Sequence, residues 1–380
     1  MQIEKLSNTI DAKKYLSELG VDGGGINILA SKMNTHILYI RDLHVGGANI
    51  LKQDALSVGA DLAVPRGTVI AATRHVDCIL IATQKQLQTL AKKELAQPFG
   101  LKELAQRFKE FAEVKKSRPV QIMGIINAND DSFFSASRFK DAHAIGAVVK
   151  MIEEGADILD IGGVSSAPNS LKVNAEDEFA RVKPILDAIA DERLFEHAKF
   201  SIDSYEPQVI RYALDCGFKI VNDITGLENN EVCKLCAEYD ASAVIMHMQG
   251  SPQTMQENPH YENILSDVYA FLQSRIEKAE SFGVKDIIID VGIGFGKSLE
   301  DNLMLIKHLE NFSTLKKEIL LGASRKSMIN QIVPSGVEQR LAGTLAIHLE
   351  ALRNGASIFR VHDVKEHYQA LKVQEALNSI

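Results

Sequence analysis

The sequence predicts an α/β protein: a (β/α)8 TIM barrel preceded by a smaller α/β N-terminal domain. Three observations predict it. From Val120 onward, short apolar runs alternate with amphipathic helical segments to the end of the chain. About eight such pairs over roughly 260 residues match the size of one barrel. Nearly every apolar run then ends in a polar residue or a glycine, as strands do on the rim where barrel loops build a single site. A doubly wound sheet is the alternative, but it seldom repeats so evenly.

Taken in order, residues 1–115 form the first unit. Ile37–Arg41 and Cys78–Ala82 read as strands, and Ala48–Val58 and Gln84–Ala96 as helices. Gly23-Gly24-Gly25 reads as a loop without a strand-to-helix context. His36, His44 and His75 are scattered and suggest no catalytic constellation. The charged amphipathic stretch Lys102–Lys116 reads as a connecting helix.

Residues 116–380 form the barrel unit, with strands at 120–126, 158–161, 200–203, 219–221, 242–246, 287–290, 319–321 and 358–361. Helices fall near 141–154, 175–190, 206–216, 229–239, 261–282, 300–309, 338–354 and 363–377. Ser204 is placed to cap one helix, with Pro207 in its first turn. Gly155, Gly217, Gly283 and Gly355 mark helix ends.

Bulk properties exclude several classes. The chain has 380 residues, 46% hydrophobic and 24% charged, which suits a globular enzyme of two domains. A net charge of -8 argues against a nucleic-acid partner. No apolar run is long enough to span a membrane, and Met1-Gln-Ile-Glu-Lys5 lacks a signal pattern, so the cytoplasm is the expected compartment. Cys233-Lys-Leu-Cys236 has no second cysteine pair for zinc and lies in a helical pattern, so it reads as reduced core.

The stretch with the most chemistry is Asp286–Lys297. Ile287, Ile288 and Ile289 read as a buried parallel strand, closed by Asp290 and opening into Gly292, Gly294 and Gly296. Val291 stands where a P-loop needs glycine, and Lys297 where a dinucleotide fingerprint does. The other strand ends give Asn127, Gly162-Gly163, Asp203, Asn222-Asp223, His247, Ser324-Arg-Lys326 and Arg360-Val-His362. Spacings for a catalytic zinc or a nucleophile elbow are lacking. Carboxylates with Asn222 and Lys326 suit a flat heterocycle that presents parallel N–H donors. Arg360 and His362, read as positive, suit phosphate beside a helix start.

These residues resemble the dihydropteroate synthase family. The matching motifs are Met123–Asn127 with Asp131–Phe133, Asp160–Gly163, Ser201–Ser204, Val221–Ile224, Met246–Gly250 and Thr254–Gln256. Asp290–Lys297, Ser324–Ser327, Gly343–Leu345 and Arg360–Val364 continue them in order. The resemblance implies attack of 4-aminobenzoate on 6-hydroxymethyl-7,8-dihydropterin diphosphate, giving 7,8-dihydropteroate and pyrophosphate, with Mg2+ assisting. It implies that Asp290 and Asn222 hold the pterin edge, that Lys326 bonds its oxygen and nitrogen face, and that Met246 and Phe295 wall the ring. Gly294 and Ser324 join this substrate set. Asp203 lies at the reacting centre, Asn127 contacts Mg2+ or diphosphate, and Arg360 and His362 bind diphosphate. Ser166 and Pro168 flank aminobenzoate. A homodimer is the implied assembly.

Asn129 and Asp130 replace the family's Thr and Pro, Ala167 its Arg, and Val291 its Pro. We expect Lys172 to cover for the charge lost at Ala167. Two rivals share the pocket: a pterin-dependent methyltransferase domain and a non-catalytic pterin-binding protein. Arg360, His362 and Lys326 favour a diphosphate substrate over both.

Overall fold

A computed structural model describes residues 3, 4, 6, 10–113, 118–128, 139–164, 173–255 and 257–378, without the side chains of 139–143. The chain divides into two compact units: residues 118–374, and residues 1–117 together with 375–380.

The first unit opens with helices α1 (Ala12–Glu18) and α2 (Gly23–Met33). Gly23-Gly24-Gly25 is therefore the first turn of α2, not a loop: the Asp22 carboxylate accepts the Gly24 N–H at 2.9 Å and starts the helix there. Strands β1 (Thr35–His44), β2 (Asp61–Ala63) and β3 (His75–Thr83) make an antiparallel sheet in the order β1-β3-β2. Their inward residues Ile40, Leu62, Cys78, Leu80 and Ala82 pack with Leu51, Leu87, Leu90, Leu101 and Phe108. The latter come from α3 (Val45–Ser57), α4 (Gln84–Lys93) and α5 (Leu101–Ala112).

The second unit is a closed parallel barrel of eight strands. They are β4 (Gln121–Asn127), β5 (Ile158–Gly162), β6 (Lys199–Asp203), β7 (Ile220–Asp223), β8 (Ser242–Met246), β9 (Ile287–Asp290), β10 (Glu318–Leu321) and β11 (Ile358–Val361). Helices α6 (Phe139–Glu153), α7 (Ala175–Asp191), α8 (Pro207–Asp215), α9 (Asn230–Glu238) and α10 (Ile264–Ser281) follow successive strands. So do α11 (Leu299–Lys307), α12 (Ser327–Ile332) with α13 (Leu341–Arg353), and α14 (Val364–Asn378). Ser204 does not cap α8; Glu206 holds that position, and the Ser204 hydroxyl accepts its N–H at 3.1 Å. Among the described residues no helix is long and apolar enough to cross a membrane.

The period of two along a strand separates two cores. Leu159, Ile161, Ile202, Val221, Ile245, Ile289, Leu321 and Phe359 face the helices. Met123, Ile158, Ile220, Val244, Ile288, Leu320 and Ile358 form a separate layer that plugs the lumen. Two residues further along, the same strands present Asp160, Asn222, Met246, Asp290, Gly322 and Arg360. Site and plug thus share one face of each strand.

Candidate active site

Above the apolar plug, Arg360 crosses the lumen. Its Nε donates to Asp160 Oδ2 and its Nη2 to Asp203 Oδ2, each at 2.6 Å. Asn222 donates its amide to the same Asp160 oxygen at 3.0 Å. Four strands, β5, β6, β7 and β11, are linked in this way. Burial pushes the Asp203 carboxyl up, helped by Asp160 and Glu178, while the guanidinium opposes the shift. Asp160 is a site residue that the strand-end reading missed, because it lies two residues short of the rim glycines. The available signal was its alternation with Ile158 on a fully buried strand.

Asp290 is buried and accepts the Gly292 N–H at 2.8 Å, one of the bonds that offset its burial. Lys326 places its ammonium 4.1 Å from the centre of the Phe295 ring. Burial, then the Arg360 charge, lowers the Lys326 pKa to about 8. Ile224, Met246, Met255 and Phe295 form an apolar wall beside them. Gly294, whose N–H bonds Asn302 Oδ1 at 2.7 Å, lets the Lys326 stem pass closely: a Cβ there would sit 3.3 Å from Lys326 Cδ.

His362 differs from the expectation of positive charge. Desolvation, then Arg360 and Arg325, lowers its pKa to about 4, although the residue as a whole is exposed. The Ser324 hydroxyl accepts the His362 backbone N–H at 3.2 Å and lies 2.9 Å from Nδ1, a bond whose direction depends on the ring tautomer.

Other rim residues serve as scaffold. Asp223 accepts from the Thr225 N–H and hydroxyl and the Leu227 N–H, which turns the chain after β7. His247 is buried, its Nδ1 2.9 Å from Lys297 Nζ. That ammonium also donates to the carbonyls of His247, Gly292 and Phe295, knotting the glycine-rich loop. Arg325 is held by both oxygens of Asp363 and by Glu338. Asn127 ends β4 half-buried, and its carboxamide makes no hydrogen bond among the described residues. Ser166, Pro168, Ala167, Lys172, Asn129 and Asp130 lie outside the described residues. Cys233 and Cys236 are buried, unoxidised core thiols.

Residues 123–362 match the pterin binding enzyme family. A dihydropteroate synthase of Haemophilus influenzae is 42% identical over 259 residues, 67% of this chain and 93% of its own length. The chain belongs to the dihydropteroate synthase family. A bifunctional dihydropteroate synthase/dihydropteroate reductase of Helicobacter pylori is 40% identical over 375 residues, 99% of both chains. The solved structure of the Xanthomonas albilineans synthase with 4-aminobenzoic acid superposes with a TM-score of 0.63 at 35% identity, covering 69% of this chain and 94% of that one. The activity is accordingly that of a dihydropteroate synthase, a transferase that forms dihydropteroate.

Proposed function

We propose that the barrel condenses 6-hydroxymethyl-7,8-dihydropterin diphosphate with 4-aminobenzoate through the residues gathered above the lumen plug. The meeting of buried Asp290 with Lys326 over the Phe295 ring carries this reading. A carboxylate accepts the parallel N–H donors of a pterin's amidine edge, and an ammonium on the far side bonds its ring acceptors. Met246 and Phe295 exclude water from the ring faces. Asn222 completes the polar edge, with Gly294 giving the ring room.

The diphosphate belongs at the opposite side, with Arg360, the His362 ring and Ser324. As the methylene–oxygen bond breaks, charge flows to the departing diphosphate and a cation-like carbon develops beside Asp203. Fixed charges at both ends stabilise that separation, each such group contributing about 3–4 kcal/mol. The amine of aminobenzoate forms the new carbon–nitrogen bond and releases its proton. It is a weak nucleophile, so positioning outweighs general base strength. Ser166 and Pro168 are assigned to the aminobenzoate side, and Lys172 to the charge absent at Ala167.

Mg2+ fits this arrangement as an ion carried with the diphosphate. Among the described residues no group of three or more acidic, histidine or cysteine ligands exists. Asn127 offers one hard oxygen without a hydrogen-bond partner among the described residues, which suits an ion that keeps waters and binds mainly substrate phosphates. When bound, Mg2+ neutralises charge on the leaving diphosphate.

The test is formation of dihydropteroate and pyrophosphate by the full chain, with Mg2+ and then with chelator. The reading predicts turnover that chelation suppresses. Binding of methyltetrahydrofolate without pyrophosphate release would instead support the methyltransferase reading. We further infer a cytoplasmic homodimer, which sedimentation would check at one mass or the other.

A second activity is favoured by the full-length match to the Helicobacter pylori protein named a reductase, which includes the first unit. We infer that the full chain also reduces dihydropteroate, taking a hydride from a donor of the reduced nicotinamide class and a proton from solvent. Oxidation of that donor upon addition of dihydropteroate tests it; an unchanged donor spectrum would refute it.

A further inference from the structure

Among the described residues, Asp160 alone bonds both the proposed pterin reader and the proposed diphosphate cation. Its Oδ2 takes the Asn222 amide at 3.0 Å and the Arg360 Nε at 2.6 Å. The side chain is wholly buried on β5, and Oδ1 has no hydrogen-bond partner among the described residues. A carboxylate placed only to neutralise Arg360 would be redundant, because Asp203 already pairs with the same guanidinium through Nη2. What Asp160 adds is orientation. A guanidinium held at Nε cannot rotate about its own plane without breaking that bond. An amide whose NH2 group is committed to Asp160 must present its carbonyl elsewhere, which fixes the flip state of Asn222.

We propose that Asp160 is a positioning residue that sets Asn222 and Arg360 through one shared oxygen, so that pterin edge and leaving group are held in register by a single carboxylate. The proposal rests on the synthase reading above and goes one layer beneath it, since Asp160 itself touches neither substrate. It explains why an acid stands on β5 directly above the apolar plug, at a depth where burial is costly unless its bonds are used. Asn222 and Arg360 lie on strands separated around the barrel by β4, β5 and β6. No backbone ladder joins them, so a side chain that reaches both is the direct means of fixing their spacing.

The test uses the full chain with Mg2+ and compares wild type, Asp160→Leu and Asp160→Asn. Pyrophosphate release gives kcat and KM, circular dichroism gives the folded fraction, and rates are expressed per folded molecule. Asp160→Leu removes both bonds at similar volume. The KM for the dihydropterin diphosphate should rise and kcat fall, each by about tenfold or more. Asp160→Asn keeps one acceptor oxygen for Asn222 and Arg360 but no charge. Its KM and kcat should both return to within about threefold of wild type, because the shared oxygen rather than the charge does the positioning. A carboxylate that only stabilises the fold would lower the folded fraction and leave both constants per folded molecule unchanged.

Wild-type constants in Asp160→Leu, or an Asp160→Asn enzyme impaired by about tenfold or more in both constants, overturn the proposal. If Asp160→Leu does not fold, Asp160→Ala takes its place under the same criterion. Wild-type enzyme that makes no dihydropteroate would instead sink the synthase reading, a distinct outcome.

Discussion

Asp290 shows how burial and function oppose each other in one side chain. Its carboxyl is raised by desolvation, and the nearby Gly292 N–H, Lys326, Lys297 and Arg360 pull it back. Such a group is costly to keep empty and gains most from a ligand that brings N–H donors. Asp290→Asn should therefore weaken binding of a dihydropterin by roughly 30- to 100-fold, the loss expected for charge-assisted hydrogen bonds worth about 2–3 kcal/mol. Calorimetry with the pterin alone measures it, and affinity within a few-fold of wild type would exclude Asp290 from the pterin edge. Lys326→Met should act at the same step, but with loss of the ring stacking cation as well as a donor.

At the scale of an element, the loop after β9 is tightly constrained by close backbone approach. Gly292 has φ of +68°, and a Cβ there would lie 1.9 Å from the His247 carbonyl oxygen. Gly296 has φ of +61°, and its Cβ would lie 2.6 Å from the Gln249 carbonyl oxygen. Backbone cannot yield to that degree, so Gly292→Ala should displace the loop and remove pterin binding. Gly355 has φ of +100° with no atom within 4 Å of its Cβ position. Gly355→Ala should thus cost only the left-handed backbone penalty, about 1–2 kcal/mol in urea unfolding, and leave kcat intact. Lys297 closes the same loop from inside, with burial lowering its pKa to about 7. Lys297→Met leaves three carbonyls without their shared donor. The pterin KM should rise about tenfold or more, and an unaltered KM would show that the loop holds without its pin.

Across the whole molecule, titration places a stability cost in the first unit. Glu94 is fully buried after α4, and no N–H or O–H reaches either oxygen among the described residues. Burial, then the neighbouring Asp54 charge, raises its pKa to about 7. The folded state thus keeps a proton that the unfolded chain releases in the ordinary carboxylate range. Stability from this group is full below that range and is lost as pH rises through about 7. Glu94→Gln removes the titration, so its thermal midpoint should exceed wild type by roughly 2–4 °C at pH 8 and match it near pH 5. Equal differences at both pH values would show that Glu94 does not carry the cost.

The barrel, the order of its strands along the chain and most of the rim can be read from local sequence. Ile287–Asp290 and Ile358–Val361 are short, apolar and closed by a charged or glycine-rich turn, and such local signals survive any packing. Gly23-Gly24-Gly25 opens a helix rather than a loop because one capping carboxylate, Asp22, decides between them. Folding, not the local sequence, settles which rim groups are bonded into the loops. His247, Asp223, Lys297 and Arg325 look as functional in the sequence as Asn222 or Lys326, yet their partners turn them into scaffold. Asp160 was hidden for the same reason: its meaning lies in Asn222 and Arg360, 62 and 200 residues away. Desolvation first, and then the arginines beside it, hold His362 neutral against the expected charge. Charge state and partner choice depend on distances across the lumen, and those are set by barrel closure rather than by neighbours along the chain.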